Sequence, residues 1–194
     1  LDNDVSIGRL LMRDGVYSEP EVELFARLLK SGDTVVEAGV NIGAHTIPLA
    51  KIVGNFGRVV AFEPQPHVYN LLCGNLALND CHNVAAYPMG LAKRGGTMVL
   101  PNELDYAALQ NFGGVPLKQS DSATRVRIGV IPLDKMEIPS LRLLKADVED
   151  MEIDVLLGAR DTIKRCRPYL YIEDDEDDPA PRRELMREMG YRTH

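Results

Sequence analysis

Apolar positions along the chain switch repeatedly between two spacings. Residues 19–29 set Val22, Phe25, Leu28 and Leu29 at helical intervals, and Gly32-Asp33 ends that pattern. Residues 34–37 form a β-branched run that predicts a buried strand. Asn41 stands where it predicts an N-cap for a helix reaching about Val53. Pro48 lies inside that helix and predicts a local kink, because it removes the bond to the Ala44 carbonyl. A strand over 57–62 follows, then a helix opened by Pro66 with Val68, Leu72 and Leu76 at helical spacing, then a strand over 83–91. The pattern loosens where strands over 95–100 and 124–131 flank a polar, glycine-containing insertion at 101–123. Order returns with a strand over 141–148, a helix over 151–165, a strand over 169–173 and a helix over 182–189 stopped by Gly190. Such alternation predicts an α/β fold: one domain over residues 1–194, a doubly wound, mostly parallel sheet with helices on both faces, and a helical lead-in over 1–32.

Composition agrees with one globular domain. The 194 residues are 45% hydrophobic and 26% charged, and no run of about 18 apolar residues exists to span a membrane. No charged segment followed by an apolar one marks a signal peptide, and the chain starts at Leu1 rather than Met, so natural sequence is expected before it. Cys73, Cys81 and Cys166 are widely spaced with no paired motif, which predicts reduced thiols in a cytoplasmic protein. The net charge of −7 disfavours a nucleic-acid partner.

A parallel sheet of this kind binds ligands beyond the carboxyl ends of its strands. Four of the five strand ends to inspect carry a carboxylate: Glu37, Glu63, the Asp147/Glu149 pair and Glu173 with Asp174; the fifth is Met89-Gly90. The first opens the stretch EAGVNIGAHT, in which Gly39 and Gly43 permit a tight turn and Asn41 precedes free helix N–H groups that suit an anion. The spacing is E-x-G-x-x-x-G. It lacks the middle glycine of the dinucleotide fingerprint, which argues against NAD, and Glu37 would repel a pyrophosphate but suits an ammonium or sulfonium. Glu63, 20 residues after Gly43, is placed to accept both hydroxyls of a ribose. One ligand combines an amino-acid end, a positive sulfur and a ribose: S-adenosyl-L-methionine, which leaves S-adenosyl-L-homocysteine as product. Its carboxylate is expected at the helix start with Asn41, His45 and Thr46, its ammonium at Glu37 or backbone carbonyls, its ribose at Glu63, and its adenine by Pro64, Gln65, Met89 and Gly90. His45 reads as a cofactor contact rather than a base, while His67, His82 and His194 read as surface residues.

At these residues the chain resembles the FkbM-type methyltransferases. VVEAGVNIGAHTIPLA, VVAFEPQPHVYNLLCGNLALN and LLKADVEDMEIDVLLGARDTIKRCRPYLYIEDD carry the resemblance, which covers roughly residues 15–191. Asp147, Glu149 and Glu152 match the acids of the third motif and Arg167-Pro168 its R-P pair; Asp150 stands where the family usually has Gly and is expected to cap the following helix. The resemblance implies a Rossmann-like class I methyltransferase fold, use of S-adenosyl-L-methionine, and methylation of a hydroxyl on a small molecule, sugar or glycan. It further implies that residues 17–21 pack over the methionine end of the cofactor, with Glu19 as a contact or as a helix-capping acid. Asp147, at the end of the central fourth strand, is the first choice for the base or orienter of the acceptor, with Glu149 and Glu173 next. The acidic run over 173–178 reads as a solvated turn rather than a metal site, and the insertion over 101–123 as a lid or substrate loop. The fold class ends in an edge hairpin, yet only residues 191–194 follow the last helix, so sequence beyond a sixth strand is expected to be missing and an open sheet edge to allow a homodimer. An RNA methyltransferase and a non-catalytic cofactor- or partner-binding domain are the competing readings.

Overall fold

The structure, a computed structural model, describes residues 4, 7–101, 125–174 and 180–193. The insertion beyond Pro101, acids 175–178 and His194 lie outside the described residues. In chain order the elements are α1 (Ile7–Asp14), α2 (Glu19–Leu28), β1 (Thr34–Ala38), α3 (Thr46–Val53), β2 (Arg58–Phe62), α4 (Pro66–Leu78), β3 (Val84–Tyr87), β4 (Met89–Leu91), β5 (Gly96–Pro101), β6 (Arg125–Ile131), β7 (Leu143–Ala146), α5 (Glu152–Gly158), α6 (Arg160–Cys166), β8 (Tyr169–Ile172) and α7 (Ala180–Glu188).

Five strands form a parallel sheet in the order β3-β2-β1-β7-β8. Alternation within each strand sends side chains to two separate cores. Val35, Val59 and Leu143 meet Phe25, Leu49, Val53 and Leu72 of α2, α3 and α4. Val36, Val60 and Leu144 meet Val155, Leu156 and Ile163 of α5 and α6. Each fully buried Val or Leu contributes about 1.5–3 kcal/mol, which fixes the sheet between its two helical layers. This is the doubly wound arrangement expected from the alternation. The chain leaves β1 toward β2 and β3 on one side and returns to β7 and β8 on the other, so the switch point lies between the ends of β1 and β7.

Several boundaries differ from the sequence expectation. The single strand over 83–91 divides at Pro88: β3 joins the large sheet, while β4 pairs with β6 in a three-stranded sheet, β4-β6-β5. A proline lacks the N–H that would carry one ladder through. The helix over 151–165 divides at Ala159, and the Asp134 carboxylate caps α6 by accepting the N–H groups of Asp161 and Thr162 at 3.0 and 2.8 Å. Asn41 is not the N-cap of α3. It holds φ +50° within the turn, and α3 starts at Thr46. Pro48 therefore falls in the first helical turn, where the missing N–H costs least, and the expected kink loses its cause. Asp150 does not cap α5 either, whose N-cap position is Met151; Asp150 instead takes φ +73°. Residues 191–193 form no strand, and the Tyr191 hydroxyl donates to the Pro168 carbonyl at 2.9 Å.

Gly39 holds φ +76°, and a Cβ there would stand 1.7 Å from the Asp147 carbonyl oxygen. The two strand ends touch backbone to backbone, so only glycine fits. Gly39→Ala is expected to destabilise the fold by more than about 2 kcal/mol in denaturant titration. Asp150→Gly, which relieves a left-handed L-residue, is expected to stabilise it by about 0.5 kcal/mol in the same measurement.

Candidate functional site

A pocket of about 170 Å³ opens over the switch point. On its floor, Glu37 of β1 lies opposite Lys145 of β7 in the strand register. Both are buried, at 1% and 2% exposure. Lys145 Nζ stands 3.7 Å from Glu37 Oε1 and 3.3 Å from Asp147 Oδ2. Burial opposes the ammonium, but Glu37 and Asp147 outweigh it and hold the Lys145 pKa above its ordinary value. Burial pushes the Glu37 carboxyl up, against Lys145, His45 and the Thr46 hydroxyl. Thr46 donates to Glu37 Oε2 at 2.7 Å, whereas Glu37 Oε1 is buried without a hydrogen-bond donor.

The turn after β1 is tied to the end of β2. Glu63 Oε2 accepts the Asn41 N–H at 3.0 Å and Oε1 the Gln65 N–H at 2.8 Å. Burial to 4% exposure outweighs these two donors and raises the Glu63 carboxyl to about 7. Across the pocket, His45 Nε2 lies 2.9 Å from Glu21 Oε2. The Tyr171 hydroxyl donates to the other oxygen of Glu21. His45 first, then Ser18 and the Tyr171 hydroxyl, lower the Glu21 carboxyl to about 2 against the effect of burial. Tyr17 and Phe25 pack against the imidazole, with ring centroids 5.2 and 5.7 Å away.

Eight residues singled out in the sequence line this one pocket. Glu37, Gly39, Asn41, His45 and Glu63 come from the turn side, and Asp147, Glu149 and Glu173 from the ends of β7 and β8. The others do not line it. Thr46 sits behind Glu37, and Gln65 acts through its backbone N–H. Gly43 and Glu19 line a neighbouring, more apolar cavity of about 480 Å³ that shares Tyr17 and Ala44 with the first. At Gly43 a Cβ would stand 2.8 Å from Leu72 Cδ1, so this glycine admits α4. Met89 and Gly90 belong to β4 of the second sheet, where Gly90 neighbours Pro64. Lys145 and Tyr171 were not singled out. A signal for Lys145 was present in LLKA, a four-residue strand that is fully buried yet contains a lysine; Tyr171, in YLYI, carried none.

A parallel sheet in this order, with an acid and a glycine turn at the first strand end and a second acid at the next, defines the Rossmann-like class I methyltransferase fold. The chain belongs to the FkbM methyltransferase family: residues 37–193, more than half of it, match the model for the methyltransferase FkbM domain. It is 27% identical over 81% of its length to Methyltransferase 1 of Beauveria bassiana, spanning 71% of that protein. A crystal structure of methyltransferase FkbM from Methylobacillus flagellatus KT superposes with TM-score 0.55 at 19% identity, over 88% of this chain and 38% of the other. Aeropyrum pernix fibrillarin, solved with natively bound S-adenosyl-L-methionine, superposes with TM-score 0.52 at 15% identity, over 89% and 64% of the two chains.

The Glu21 contacts generate a stability prediction. Its folded pKa, about 2, lies below the unfolded 4.5, so the stabilisation is complete above pH 4.5 and is lost as pH falls toward 2. Glu21→Gln is expected to lower stability near neutral pH by about 1–2 kcal/mol, discounted for partial exposure, and to flatten the acid limb of a stability–pH profile.

Proposed function

We propose that this chain is an S-adenosyl-L-methionine-dependent methyltransferase acting on a hydroxyl of a small molecule, sugar or glycan. The observation that carries the reading is the pair of buried acids at adjacent strand ends, Glu37 and Glu63, facing one pocket across the glycine turn. Their spacing suits a ligand with a cationic end and a ribose. Glu37 Oε1, buried without a donor, suits the ammonium of the cofactor's amino-acid end. The Glu63 oxygens, each already held by one backbone N–H, keep lone pairs for the ribose hydroxyls. Pro64 and Gly90 border the same strand end and suit the adenine. The cofactor supplies an activated methyl group on sulfur.

The chain's own residues then orient and deprotonate the acceptor. Asp147 lies at the pocket mouth beside Lys145 and is 43% exposed, within reach of an entering hydroxyl. Asp147 would take up the hydroxyl proton as the acceptor oxygen gains the methyl group and the sulfur leaves as a neutral thioether, with Glu149 and Glu173 as the other carboxylates at that rim. Five carboxylates line the pocket, and Lys145 is the only lysine or arginine lining it among the described residues. That balance repels phosphate and favours a neutral acceptor over RNA.

Calorimetric titration with S-adenosyl-L-homocysteine, with NAD as control, tests the reading. Binding of the first alone is expected. Glu63→Ala is expected to weaken it by about 1–3 kcal/mol, and unchanged affinity would place the ribose elsewhere. Because only the ionised Glu63 accepts from both ribose hydroxyls, affinity is expected to rise as pH increases through about 7.

A further inference from the structure

We propose that Lys145 is a positioning residue that sets the charge of the pocket floor and so selects ligands bearing an ammonium. This rests on the proposed use of S-adenosyl-L-methionine and assigns how its amino-acid end is recognised. Three groups make the floor: Glu37, Lys145 and Asp147, with the ammonium 3.7 and 3.3 Å from the two carboxylates. With both acids ionised, the cluster carries one net negative charge. A single ligand ammonium neutralises it.

The geometry leaves Glu37 Oε1 with no donor at all, which makes it the acceptor most in need of that ammonium. Glu37 Oε2 is taken by Thr46, and Lys145 stands beyond hydrogen-bond distance of Oε1, which has no other donor. Lys145 therefore supports the charge of Glu37 without hydrogen-bonding to Oε1. Burial alone would drive this carboxyl to its neutral form, and a neutral Glu37 offers little to an ammonium. Lys145 is itself held by strand register opposite Glu37, with a four-carbon stem inside a fully buried strand, so its position is set before any ligand arrives.

Two ligands separate this role from a structural one. S-adenosyl-L-homocysteine and 5′-methylthioadenosine share adenosine and a thioether sulfur, but only the first has an amino-acid end. With Lys145→Met, which keeps length and removes charge, calorimetry is expected to show at least about tenfold loss for S-adenosyl-L-homocysteine and a change within about twofold for methylthioadenosine. Equal losses for both ligands would mean that Lys145 only holds the fold, and no loss for either would mean that Glu37 keeps its charge unaided; each result overturns the inference. Wild-type protein that binds neither ligand would instead overturn the methyltransferase reading, and this inference with it.

If Lys145→Met does not fold, wild-type protein gives the same decision. The groups around Glu37 are Lys145 and Asp147 from the β7 side and His45 ahead of α3, with Glu21 of α2 behind His45. Glu63 meets the ribose of both ligands and cancels in their affinity ratio. That ratio is expected to stay flat from about pH 8 to about pH 6, in wild type and in His45→Gln, which lacks the imidazole. A ratio that falls with pH in both proteins would show Glu37 taking up a proton despite Lys145, and would overturn the inference.

Discussion

The ends of β1 and β7 meet at a distance that only glycine allows, and the pocket follows from that contact. With Gly39 pressed against the Asp147 carbonyl, the two strands stay in register to their last residues. That register sets Glu37 opposite Lys145 in the middle of a buried sheet. Two ionisable groups removed from water cost several kcal/mol each unless they face one another, so the pair is tolerable only while the register holds. Backbone sterics at one position thus decide the electrostatics of the site.

The second acid ties the turn down. A chain that leaves a strand, reverses through Gly39 and Asn41 and enters a helix exposes several N–H groups. The Asn41 N–H finds Glu63, and Glu63 also holds the backbone after β2. One carboxylate therefore orders two strand ends at once. The same burial that makes it a good organiser raises its pKa to about 7, near the working range of most proteins. The lead-in helices close the other side. Phe25 is fully buried between His45 and Tyr171, and Glu21 bonds or contacts both, so α2 is fastened to the turn and to β8 together.

Much of this was legible locally. The alternation of spacings predicted the layers, and the strand-end acids predicted Glu37, Glu63, Asp147, Glu149 and Glu173, all of which line one pocket. Those signals act over a few residues. Asn41 was misplaced because Asn favours both an N-cap and a left-handed turn, and one sequence cannot separate the two. Gly43 reads in the sequence only as a turn glycine, because a glycine does not reveal what approaches it; here it is Leu72. Met89 and Gly90 were drawn to the large sheet because Pro88 was given too little weight as a ladder breaker.

By itself, then, the sequence determined the α/β class, the strand ends that carry chemistry and the glycine turn between them, since periodicity and turn sterics are properties of neighbouring residues. Only the tertiary structure decided that Lys145 stands against Glu37, that Glu21 reaches His45 and that the second sheet takes β4. These contacts join residues far apart in the chain. They depend on which strands become parallel neighbours and in what register, and that is settled by packing two helical layers against one sheet.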